Sequence, residues 1–278
     1  MRARWSSLSA RKALVLYGEA AVDFLVGLLQ DPNTDPRIKR EIPLVLGSIR
    51  CSASRAALVN ALYQPDTLAS YRALKALNRA RDVQDLSFTA GTFLPVIDVL
   101  ARQYYGLASL ESIKEENEGS GWKLLRRTLS ERKTQILEKV FLTLDLFLPR
   151  GDAYYSYQIL TGDRDELRDH AIELIDAQLN PHLKQTMLPL LTEQNVEELA
   201  RTGRRLYQIP DAPAAILSEA ILEADPWLRC CLMAAVRESA IHAGKGRGEL
   251  MESVRRCCDD INPLVRETAI WTLEGIQS

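Results

Sequence analysis

One short phrase recurs along this chain and limits its fold more than any other feature. It is an acidic or amide residue, then a proline, then apolar residues at helical spacing. Asp225-Pro226-Trp227-Leu228-Arg229 is one copy. An aspartate makes a good helix N-cap because its carboxylate accepts from free backbone N–H groups. Proline suits the first helical position, where no N–H is needed. Leu228, Leu232 and Val236 then fall at i, i+4 and i+8, one stripe on one face. Asn262-Pro263 opens a second copy with Val265, Ala269 and Leu273, and Asp35-Pro36 a third with Ile38, Ile42 and Leu46. Weaker copies start at Asp66 (Ala69, Ala73, Leu77), Arg164 (Leu167, Ala171, Ile175) and Asn180 (Leu183, Met187, Leu191). Steps of 31 to 45 residues between openings suit a two-helix repeat, and the short step from 164 to 180 suits the next single helix.

The long gap between positions 66 and 164 requires an insertion or a degenerate repeat. Residues 88–148 contain two amphipathic segments around an acidic, glycine-bearing turn, Glu115 to Gly121. Two helices of about 27 residues would each reach ~40 Å, forming a projecting hairpin or an enlarged repeat. The second carries Arg126, Arg127, Arg132, Lys133 and Lys139 against few acids. A solvated basic face is the ordinary reading; a docking surface for an acidic partner or lipid headgroups is the sharper one. These five are the candidate partner-binding residues. The expected organisation is all-α: N-terminal repeats over 1–82, a long helical insertion over 83–162 and C-terminal repeats over 163–278.

The Asp-Pro-x-x-Arg openings resemble those of HEAT repeats, in which paired antiparallel helices stack into a curved solenoid. The resemblance covers residues 18–82 and 163–278. The runs Pro149 to Tyr155, Arg168 to Asp176 and Leu183 to Leu191 further resemble the HEAT region of bacterial fusions to nucleotide-carrier or major-facilitator-like transporters. That resemblance implies a HEAT-like α-solenoid acting as a non-catalytic scaffold for a protein partner. The partner would be a membrane transporter or a cyclic-nucleotide-binding domain, and the location cytoplasmic, at the inner face of the membrane. The basic-slot residues Lys39, Arg168, Arg229 and Arg266 would then pair with acids of the adjacent repeat. The alternative is a HEAT-like enzyme, resembling either bilin lyases or alkyl-purine DNA glycosylases; the glycosylase version needs a tryptophan such as Trp227 beside a desolvated carboxylate.

Composition bounds the chemistry. A net charge of −2 and a pI near 6.0 argue against a nucleic-acid binder. No stretch of 18 apolar residues occurs, so no membrane span is expected, and the basic N-terminus lacks the pattern of a secretory signal. Cys230-Cys231 and Cys257-Cys258 are adjacent pairs, which point apart on a helix and read as packing residues rather than a zinc site. Tyr154, Tyr155 and Tyr157 could line a pocket or fill a helix junction. Gly244-Lys245-Gly246 lacks phosphate-loop spacing and reads as a turn. His170, His182 and His242 stand apart, and no common hydrolase or metalloprotease motif occurs. No catalytic residue, cofactor or metal is expected.

Overall fold

The computed structural model describes residues 2–63, 67–84, 88–115, 118–162, 165–239 and 246–277, with the side chains of 2–7, 67, 82–84, 165 and 277 outside the description. The chain is all-α, and no strand occurs among the described residues. Two compact units divide it: Met1–Asp98 with Glu138–Gln178, and Val99–Leu137 with Leu179–Ser278. The division falls inside the two long central helices, α6 (Ala90–Glu111) and α7 (Ser120–Leu144), each of which gives residues to both units.

Unit one contains α1 (Arg2–Tyr17), α2 (Val22–Gln30), α3 (Pro36–Ile49), α4 (Ser52–Ala61), α5 (Thr67–Gln84), α8 (Asp152–Thr161) and α9 (Arg168–Gln178). The Asp35 carboxylate caps α3 by accepting from the Arg37 amide at 2.8 Å. Ile42 and Leu46 are buried as the stripe requires, but Ile38, on the first turn, is half exposed. α3 packs on both α4 and α5, and α2 on both α3 and α4. Gly47 of α3 meets Ala76 of α5 so closely that an added Cβ would lie 2.8 Å from the Ala76 Cβ. Small residues are what bring those two helices together. The expected single helix over 18–30 is instead a 3-10 turn, Gly18–Ala21, leading into α2, with Gly18 at φ +60°. Leu8–Gln30 is long and apolar enough by length and composition to cross a membrane, despite Glu19 and Asp23.

Unit two contains α10 (Pro181–Thr192), α11 (Val196–Tyr207), α12 (Pro213–Glu223), α13 (Pro226–Glu238), α14 (Arg247–Arg256) and α15 (Pro263–Gln277). Proline occupies the first position of α10, α12, α13 and α15. The Asn180 side chain caps α10 through the Leu183 amide (2.9 Å), Asp225 caps α13 through the Trp227 amide (3.2 Å), and Asn262 caps α15 through the Leu264 amide (3.0 Å). α12 packs on α13 and α14, and α13 on α12 and α15. One continuous core joins Trp122, Leu125 and Leu129 of α7 to Leu217, Ile221, Leu232, Val236, Val254 and Val265. Each fully buried aliphatic side chain of this kind contributes about 1.5–3 kcal/mol. The openings expected at Asp66 and Arg164 lie outside the described residues, but their stripes are well buried at Ala69, Ala73, Leu77, Ala171 and Ile175.

Candidate functional site

The five basic residues expected to form one docking face have separate fates. α6 ends at Glu111, and its last carbonyls have no helical donor. Arg126 supplies one: its guanidinium donates to the Glu111 carbonyl and, at 2.6 Å, to the Ile113 carbonyl. It also pairs with Glu118 at 2.9 Å and lies 5.2 Å from the centre of the Trp122 ring. Lys133 pairs with the Glu111 carboxylate and sits 5.7 Å from the Tyr104 ring centre. Arg132 donates to Asp225 at 2.9 Å, so the carboxylate that caps α13 also holds α7. Lys139, in unit one, is buried and donates to Ser70 Oγ at 3.0 Å. Arg127 projects into solvent, its side chain 80 % exposed beside Glu131. Four of the five are therefore held by internal partners, an outcome that composition along one helix could not show because those partners lie far away in sequence.

A cleft in unit one gathers the tyrosine-rich run. Tyr154 and Tyr157 of α8 line it together with Glu138, Phe141, Leu142 and Asp145, around a shallow space of about 10 Å³, room for a water-sized group. Tyr155 points elsewhere and is 42 % exposed. The Tyr157 ring packs against Phe141, with centres 5.5 Å apart. Behind the cleft, the Tyr71 hydroxyl donates to Glu138 at 2.8 Å, and Lys75 Nζ stands 3.5 Å from the same carboxylate. Burial pushes both the Tyr71 and Tyr157 phenols above their ordinary values, reinforced by the hydrogen bond to Glu138 at Tyr71 and by the Glu138 charge at Tyr157. Burial opposes the charge on Lys75, but Tyr71 and Glu138 outweigh it and raise that ammonium. The phenols thus stay protonated at neutral pH and act as hydrogen-bond donors rather than bases. Glu138 and Lys75 were not singled out in the sequence, where nothing marks them among many scattered charges.

The repeat arginines serve structure. Arg229 donates Nε–H to the Ile221 carbonyl at 2.7 Å, Nη1–H to Asp260 at 2.7 Å and Nη2–H to Cys257 Sγ at 3.1 Å. Arg266 donates to the Asp260 carbonyl at 2.8 Å. Arg168 reaches the Leu160 carbonyl at 3.4 Å, and Lys39 is half-buried on α3. Cys230, Cys231 and Cys257 are buried as packing residues, and burial raises the thiols of Cys230 and Cys231. Among the described residues, no three His, Cys, Asp or Glu side chains converge as metal ligands. His170 and His182 are exposed. His242 and the glycine-lysine turn through Lys245 lie outside the described residues. Gly246, at φ +86°, precedes α14, where a Cβ would meet Ala214 at 2.8 Å. Trp227 is 47 % exposed on the first turn of α13, and its nearest acid in sequence, Asp225, is occupied by the cap and Arg132. No protein-family model matches this sequence, and no curated protein matches it significantly.

Proposed function

We propose that the chain is a non-catalytic helical-repeat scaffold that binds a protein partner. In this reading its helices are HEAT-like pairs stacked as an α-solenoid. The observation that supports it is the packing order within each unit: α3 rests on α4 and α5, α12 on α13 and α14, and α13 on α15. A helix that touches the neighbours one and two along the chain is what a stack of paired helices produces, each layer burying itself on the next. The Arg229–Asp260 pair, 31 residues apart, adds a repeat-to-repeat tie. Stacked repeats offer an extended face suited to another protein. The sequence resemblance to transporter fusions nominates a membrane carrier, or its cyclic-nucleotide-binding domain, as that partner at the cytoplasmic face.

The experiment is affinity capture with the full chain from detergent-solubilised membranes and, separately, from the soluble fraction of the source cells, followed by cross-linking and mass spectrometry. An integral membrane carrier cross-linked to the chain supports the reading. Cross-links to soluble proteins alone overturn the transporter part. Turnover of a tetrapyrrole adduct or excision of an alkylated base by the purified chain overturns the non-catalytic part.

A further inference from the structure

The N-terminal helices carry a surface that the scaffold reading does not use. Leu8–Gln30 has a mean hydropathy of 1.5, yet only 22 % of its apolar window is buried. Large apolar side chains are usually the ones a folded chain hides. Here Leu16 is 88 % exposed, Tyr17 73 %, Phe24 60 % and Leu8 45 %. Leu8, Lys12 and Leu16 recur at i, i+4 and i+8 along the solvent side of α1, with Ala13 and Tyr17 beside them. Leu14 and Val15 are half-buried, and Arg11 turns to Glu41 at 3.4 Å.

Charge is segregated in the same place. α1 holds Arg2, Arg4, Arg11 and Lys12 with no acid, in a chain whose net charge is −2. Glu19 and Asp23 follow, leaving residues 2–30 cationic as a whole. Exposed aliphatic and aromatic side chains beside an exposed lysine, on a stretch of net positive charge, are the chemistry of a helix lying in the interface of an anionic bilayer. The apolar groups enter the acyl boundary while the cations meet headgroup phosphates. A second copy of the chain would set like charges face to face. An acidic protein surface would answer the cations but leave the apolar side chains uncovered.

We propose that the α1–α2 face is a peripheral docking surface for an anionic lipid bilayer. Leu8, Leu16, Tyr17 and Phe24 enter the interface, and Lys12 lies among the phosphates. This goes beyond the scaffold reading and does not depend on it.

The test is co-sedimentation of the full chain with phosphatidylcholine vesicles, with and without phosphatidylglycerol. The chain is expected to sediment with the mixed vesicles and not with phosphatidylcholine alone, and to be released by high salt and by alkaline carbonate. Leu16→Asp with Tyr17→Asp should lower the affinity at least about tenfold while circular dichroism and melting stay unchanged, because both side chains face solvent. Phe24→Asp, on the other helix, should act in the same direction, and Lys12→Glu should weaken the dependence on phosphatidylglycerol. Wild-type protein left in the supernatant, or equal binding by the Leu16→Asp/Tyr17→Asp variant, would overturn the proposal. Resistance to carbonate would overturn the peripheral mode. Light scattering that shows a dimer, reduced to a monomer by the same double variant, would give the face to a second copy instead.

Discussion

Arg126 and Arg127 are adjacent and equally charged, yet a helix turns them about 100° apart. Arg126 faces the end of α6, where two carbonyls and Glu118 receive its donors, while Arg127 faces solvent. Arg126→Ala is expected to cost about 1–3 kcal/mol, because it removes charge-assisted bonds and leaves acceptors unmet. Arg127→Ala should change stability by less than about 0.5 kcal/mol, as exposed i,i+4 pairs do; urea melts distinguish the two. Asp260 gives a pH signature. Burial disfavours its charge, but the Asn262 amide at 2.8 Å and Arg229 at 2.7 Å outweigh that and hold the carboxyl below its ordinary value. The stability from this ionised group is complete above the unfolded aspartate value of about 4, and is lost as pH falls through the lower folded value. Asp260→Asn should therefore flatten the acid side of the stability profile. At neutral pH it should cost about 3 kcal/mol, since Arg229 is left without its carboxylate. A profile with an unchanged acid slope would remove Asp260 from this role.

Individual helices were largely legible, and the reason is local chemistry. A cap and a proline act within one turn, so α10 and α13 begin where Asn180-Pro181 and Asp225-Pro226 announce them. The stripe from Leu228 to Val236 is buried because every fourth residue shares a face. Contacts between helices were not legible in this way. Gly121 read as part of a turn, but it lies in the first turn of α7 against α13, where a Cβ would come within 2.6 Å of the Ala234 carbonyl oxygen. Its amide also donates to Glu238 at 2.8 Å. No pattern along one helix reports what a distant helix requires of it. Gly121→Ala should push α7 and α13 apart and cost about 1–3 kcal/mol, as overpacking does; an unchanged denaturation midpoint would show that the helices yield freely. The partners of the basic row of α7 were hidden for the same reason, since those of Arg126, Arg132, Lys133 and Lys139 sit on other elements.

At the scale of the molecule, the recurring cap-and-proline openings conveyed an all-helical chain, but not where one compact unit ends, because the division runs through α6 and α7. Leu228 belongs to the continuous core of unit two. Leu228→Asp loses about 2 kcal/mol of apolar burial and places a charge there besides. Hydrogen exchange should then show protection lost first over residues 212–277; simultaneous loss in unit one would contradict quasi-independent layers. The cysteines extend that reasoning. Cys51 lies in unit one, whereas Cys231 and Cys257 are enclosed in unit two and Cys257 is fastened under Arg229. A maleimide can reach the enclosed sulfurs only when unit two opens around them, so the time course of alkylation at each is a clock for the breathing of that unit, against half-buried Cys51 as an internal reference. The native chain already carries these clocks without any engineered label.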